Sequence, residues 1–180
     1  MQFSVGDKVV HPGLGAGQIT GVRRQELVKG FENYYVIEIP SRELTVNVPM
    51  RKMDELGVRL VMSQTKLAFV LDTLRSAPYQ LPKNFKTRQE QIQQKLRTGL
   101  PVQVAEAVRD LTWHQQVAHS TKKDSDLLAR ARQFLAGEMA LLAGDEVDNA
   151  EKTIDAALAI ATAQALEEAA TQEASAPSRP

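Results

Sequence analysis

One break in hydrophobic period, at Met62, constrains this chain more than any other feature. From Asp7 to Val61 the residues alternate in type with a period of two and are punctuated by turn formers, which is the pattern of strands. Beyond Met62 apolar residues recur at three- and four-residue spacing, which is the pattern of helices. A chain with two periods on either side of one point reads as α+β: a small N-terminal β-barrel, then an all-α unit of about five helices. The expected organisation is a β domain over residues 1–61, a helical domain over 62–170 and a flexible tail over 171–180.

Strands are expected over residues 8–10, 18–24, 34–39 and 44–48, with 58–61 as a candidate fifth. Pro12, Pro40 and Pro49 stand at the ends of these runs, where a missing N–H does least harm. The run Gly13-Leu14-Gly15-Ala16-Gly17 reads as a turn between strands. In the helical half, Ser63 and Asn84 are N-caps, Pro101 suits a first helical turn, and Thr121 with Asp124 forms a capping box. Gly99 and Gly144 are helix stops, and Asp148 is a cap for a final helix carrying Ile154, Leu158 and Leu166.

The catalytic and cofactor signatures that such a chain could carry are weak. The glycine run has no third glycine at dinucleotide spacing, no Gly-Lys-Ser/Thr and no helix after it. His114 and His119 are five apart, out of line on a helix, and His11 lies in the other half, so no metal site is expected. The absence of cysteine excludes a disulfide scaffold, a thiolate metal site and a cysteine nucleophile. No run of 18 apolar residues occurs, and the first ten residues lack a signal-peptide pattern. The expectation is a non-enzymatic, cytoplasmic protein with no cofactor, no metal, no membrane contact and no small-molecule substrate.

The neutral total charge does not argue against a polyanion partner. Lysine plus arginine equals aspartate plus glutamate, 22 against 22, but the balance is a cancellation between segments. Residues 1–60 carry 8 basic and 7 acidic side chains, residues 61–134 carry 12 and 6, and residues 135–180 carry 2 and 9. The basic middle segment can contact phosphates, although a solvated helical face gives the same composition.

The blocks Phe3-Ser4-Val5-Gly6-Asp7-Lys8-Val9-Val10-His11-Pro12, Leu44-Thr45-Val46-Asn47-Val48-Pro49, Gly57-Val58-Arg59 and Val108-Arg109-Asp110-Leu111 occur in the chain in that order. A last block runs from Leu128 through Arg132, Phe134 and Gly137 to Glu138. Together they resemble the CarD/CdnL family of bacterial RNA-polymerase-binding transcription regulators over roughly residues 1 to 160. The first block alone is also shared with the transcription-repair coupling factor, but the helical blocks favour CarD.

The resemblance implies a Tudor-like (SH3-like) barrel that docks on the lobe of the polymerase β subunit, and a helical domain that contacts promoter DNA. The implied docking surface comprises Arg23, Arg24, Gln25 and Leu27 with Val46, Asn47, Val48 and Pro49. Gln25 and Asn47 stand where relatives place arginines, and only one of Arg23 and Arg24 can substitute, because alternate strand residues face opposite ways. The implied DNA-contacting set is Lys83, Asn84, Phe85, Lys86, Arg88, Lys95 and Arg97. Phe85 takes the position of an aromatic wedge, commonly Trp, at the upstream edge of the opened promoter.

Residue spacing leaves alternatives. Phe85 is seven residues from Ile92 and could cap the core instead. Trp113 fits a packing role or a partly exposed one, and Tyr79, in the proline loop, is equally open. The resemblance also implies a bacterial cytoplasmic protein associated with the nucleoid through RNA polymerase. A competing reading of the whole chain is a docking module on polymerase that never touches DNA.

Overall fold

The computed structural model describes residues 3–175 and places strands first, helices second. Strands β1 (Lys8–His11), β2 (Gly15–Val28), β3 (Phe31–Ile39), β4 (Leu44–Pro49) and β5 (Arg59–Leu60) form one antiparallel sheet in the order β4-β3-β2-β1-β5. One face, with Val9, Ile19, Tyr35, Ile37, Ile39 and Val48, closes on Phe3, Met53 and Val58 to form the barrel core. Tyr35 donates its hydroxyl to the Phe3 carbonyl at 2.6 Å, so the buried phenol is satisfied.

The glycine run is not a turn. Gly15, Ala16 and Gly17 lie within β2, opposite His11, Val10 and Val9, and the turn falls at Pro12-Gly13-Leu14. Gly17 is required by proximity: a Cβ there would sit 2.4 Å from the Glu38 carbonyl oxygen on β3.

Helices α1 (Gln64–Arg75), α2 (Phe85–Arg97), α3 (Pro101–Val117), α4 (Lys122–Ala143) and α5 (Val147–Ser175) follow. Their starts obey local chemistry: Ser63 accepts from the Lys66 amide, Asn84 from the Lys86 and Thr87 amides, and Thr121 with Asp124 makes both bonds of a capping box. Val70, Leu74, Ile92, Val108, Leu111, Leu135 and Ile154 fill a second core, separate from that of the barrel. The last helix departs from expectation twice. It begins at Val147, which puts Asp148 inside the first turn, and it continues through Ser175, past the expected tail boundary at 171. Leu166 is 55% exposed, because α5 outruns the bundle after Ala161. Residues 176–180 of the expected tail lie outside the described residues.

The two cores are joined through a buried carboxylate. Glu138 on α4, with no exposed side chain, receives Arg59 of β5 at 2.6 Å, and its Oε1 also accepts the Met62 amide at 2.7 Å. The same guanidinium donates to the Gly99 carbonyl at 2.6 Å through Nη2. Gly99 takes φ +63°, a conformation that favours glycine, with Pro12 of the barrel at van der Waals distance from where a Cβ would be. Lys8 of β1 adds a bond to the Leu141 carbonyl at 2.6 Å.

Candidate nucleic-acid interface and docking edge

Phe85 is the first residue of α2, directly after the Asn84 cap. The residue is 48% exposed, whereas Ile92, on nearly the same helical bearing, is fully buried. Leu81 is buried with Ile92 in the helical core, so the core-capping alternative for Phe85 does not hold. Phe69 and Tyr79 are exposed as well. What sets Phe85 apart is its setting in a groove whose lining also includes Lys86, Gln93 and Arg97 of α2 and Lys123 of α4.

Phe85, Gln89, Gln93 and Arg97 are spaced by four, hence on one face of α2, and span about 18 Å of helix axis. An adjoining groove shares Gln93 and Arg97 and adds Arg130 of α4 and the Pro12-Gly13 turn of the barrel. Lys83, Lys86, Arg97, Lys123 and Arg130 are all exposed, against Glu90 and Asp126 in the same region. Lys123 and Arg130 were not among the residues expected from sequence. The capping box at Thr121 does place Lys122 and Lys123 at a helix start, but the packing of α4 beside α2 is a tertiary fact that spacing cannot reveal.

Two expected phosphate contacts are engaged inside the protein instead. Arg88 is only 2% exposed. Its Nη2 lies 2.6 Å from Asp124 Oδ2, and its Nη1 donates to the Pro82 and Lys83 carbonyls at 2.8 and 3.1 Å. A guanidinium with that set of partners has no face left for DNA. Lys95 is held at 3.0 Å by Glu106 and at 3.4 Å by Asp110. Asn84 spends its Oδ1 on the helix cap.

Around Asp124, burial by itself raises the carboxyl pKa, but bonds from Arg88, Thr121 and Gln89 outweigh it and hold the group well below the usual carboxylate range. His114, nearby, has its pKa lowered by burial and by the charge of Arg88, which favours the neutral ring. Among the described residues no cluster of three or more His, Cys, Asp or Glu could hold a metal ion. No helix there is long and apolar enough to cross a membrane.

The barrel offers a different surface. β4 is an end strand of the sheet, paired only with β3. Register places Val46 and Val48 on the core side with Ile37 and Tyr35, and Asn47 and Pro49 on the opposite face with Val36 and Tyr34. Val48 belongs to the barrel core and Val46 packs against it, so what these two expected docking residues present along the edge is their backbone. Arg23 is opposite Tyr34, so it shares the face of Asn47 and Pro49, while Arg24 is opposite Asn33 and points the other way. Gln25 and Leu27 sit in the irregular stretch of β2 between Arg24 and Val28, both exposed.

Two family models match the chain in consecutive stretches. The CarD-like/TRCF RID domain covers residues 3–62, and the CarD C-terminal domain covers residues 69–155. The chain belongs to the CarD/CdnL family. The first match spans the five-stranded sheet and the second spans the latter half of α1, then α2, α3, α4 and the first turns of α5, so CarD membership accounts for both architectural halves. Among curated proteins, the chain is 27% identical over 142 residues to "Putative transcription factor YdeB" of Bacillus subtilis (strain 168), covering 79% of this chain and 93% of that one. As a CarD-family protein, the chain is a transcription regulator.

Proposed function

We propose that this protein binds the lobe of the RNA polymerase β subunit through the β4 edge and the face bearing Arg23, Asn47 and Pro49. From there it stabilises the promoter open complex by presenting Phe85 to DNA at the upstream edge of the bubble. Residues 1–61 form the docking unit and residues 62–170 the DNA-contacting unit. An end strand can accept a partner strand by main-chain hydrogen bonds while outward side chains set specificity. The observation that carries the DNA reading is Phe85: a half-exposed ring at a helix start, flanked by Lys86 and Lys123. Apolar side chains of this kind enter opened base steps at a cost of roughly a few kcal/mol per unstacked step. Lys83, Lys86, Arg97, Lys123 and Arg130 are assigned to phosphates, which positions the protein without reading sequence.

The action is a shift of population. A protein that binds the melted promoter better than the closed one moves the equilibrium by its differential affinity, and a tenfold longer-lived open complex needs only about 1.4 kcal/mol. The protein acts on the nucleoid through polymerase, in the cytoplasm, with no chemistry of its own.

The test is open-complex lifetime with cognate holoenzyme, without factor, with this protein and with Phe85→Ala. Lengthening by the protein and loss of that lengthening in the variant support the reading. An undiminished effect of Phe85→Ala removes the wedge. A second reading, a docking module with no DNA contact, is favoured by the internal engagement of Arg88 and Lys95. It predicts no lifetime change from any α2 surface substitution while polymerase binding persists.

A further inference from the structure

The turn that carries Phe85 is tied down from beneath. Its two carbonyls, Pro82 O and Lys83 O, both accept from Nη1 of Arg88, at 2.8 and 3.1 Å. The other side of that guanidinium meets Asp124, through Nη2 to Oδ2 at 2.6 Å and Nε to Oδ1 at 3.3 Å. Asp124 is itself fixed at the start of α4 by the Thr121 amide at 2.9 Å and hydroxyl at 2.9 Å, and by Gln89 at 3.3 Å. Further back, the Tyr79 amide donates to Asp110, which is fully buried, so the proline loop is anchored before the turn as well.

This arrangement is costly as mere ballast. Removing two charges from water carries a large desolvation penalty, and a well-packed apolar pair often stabilises a fold as well or better. An apolar pair could not, however, hold two backbone carbonyls in a chosen direction. Only a planar fork with donors on both sides bridges a carboxylate on one helix and a turn on another; an ammonium is a point charge with no such reach. The carbonyls so held belong to the two residues immediately before the Asn84 cap and Phe85. Their direction sets where the ring leaves the surface.

We infer that Arg88 and Asp124 are positioning residues for Phe85, acting through the Pro82 and Lys83 carbonyls to preorganise the ring rather than by touching DNA. The inference rests on the reading of Phe85 as the DNA wedge. A ring held by its turn in one direction loses less freedom on insertion than one on a loose loop, so the clamp raises the affinity of the wedge without adding a contact.

The test uses the full chain in two measurements. Amide exchange is followed at Lys86 and Thr87, whose N–H groups bond to Asn84 Oδ1 and report the integrity of the cap. In Arg88→Lys these amides are expected to exchange about tenfold faster or more, the scale of one lost charge-assisted bond, with Val108 and Ile154 unchanged. Should Arg88→Lys fail to fold, the double variant Arg88→Gln with Asp124→Asn removes both charges together and is read the same way. Open-complex lifetime is then measured for Arg88→Lys, Phe85→Ala and their combination. A positioning role predicts that Arg88→Lys shortens the lifetime in the parent but not further in the Phe85→Ala background. Equal losses in both backgrounds, or unchanged exchange at Lys86 and Thr87, overturn the inference. No effect of Phe85→Ala by itself overturns the wedge reading on which it rests, a result the exchange data keep distinct.

Discussion

Arg59 and Glu138, 79 positions apart in the chain, meet in a two-point ion pair, Nη1 to Oε1 at 2.6 Å and Nη2 to Oε2 at 2.8 Å. The carboxylate is fully buried and the arginine three-quarters buried. Because Glu138 also accepts the Met62 amide, it binds the last strand, the linker and α4 at one point.

Loss of that carboxylate leaves Arg59 and the Met62 amide short of their partner. Glu138→Ala is expected to destabilise the protein by about 3 to 5 kcal/mol, the scale for breaking one member of a buried pair. The double variant Arg59→Met with Glu138→Met should recover a large part of this. Urea unfolding of both variants is the check, and equal instability would show that the charge pair is not the source of the loss.

Acid should weaken the fold through Asp124 and His114. Asp124 has a folded-state pKa below its unfolded value, so its contribution is present above the unfolded value of about 3.9 and is lost as pH falls through the folded one. His114, also lowered, binds its proton more readily when unfolded, so its contribution too is present above about 6.5 and declines below it. Thermal midpoints measured from pH 7 down to pH 3 should fall, and Asp124→Asn should flatten the portion below about pH 4. An unaltered acid limb in Asp124→Asn would assign that limb to other carboxylates.

The two arginines on β2 should differ in their effect on polymerase binding. Arg23 lies on the face of Asn47 and Pro49, and Arg24 on the other. Arg23→Glu is expected to weaken binding of the β lobe by about tenfold, and Arg24→Glu by much less, in titrations at fixed ionic strength. Equal effects would mean that the docking face wraps the hairpin rather than lying on one side.

Salt separates surface cations from internal ones. Each of Lys86→Gln, Lys123→Gln and Arg97→Gln should reduce the log-log salt slope of polymerase-dependent promoter retention by about 1. Lys95→Gln should leave it unchanged, since its ammonium already faces Glu106 and Asp110. A slope change in Lys95→Gln would show that this ion pair opens on DNA.

What was legible in the sequence was local. Ser63, Asn84 and the Thr121–Asp124 box mark helix starts because each capping bond spans two or three residues, and Pro101 marks one because its fixed φ suits a first helical turn where no N–H is needed. The inward direction of Val46 and Val48 is also readable, from apolar residues alternating with Thr45 and Asn47. The fates of Arg88 and Lys95 were not readable. Their partners Asp124 and Asp110 are 36 and 15 residues away and reach them only after α2, α3 and α4 have packed. A basic residue beside an aromatic one looks the same in sequence whether it faces solvent or a buried carboxylate.

The reach of Arg59 to the Gly99 carbonyl gives the protein a property that neither half has separately. Gly99 closes the end of α2, the helix whose other end carries Phe85, and Arg59 belongs to the sheet whose far edge is β4. Under the proposed function this makes the molecule a caliper: one jaw on the enzyme, the other on the fork, with the opening between them set by the fold. Promoters whose upstream fork falls at that span would be gripped more tightly than those whose fork is displaced from it, giving selectivity by distance where no base is read.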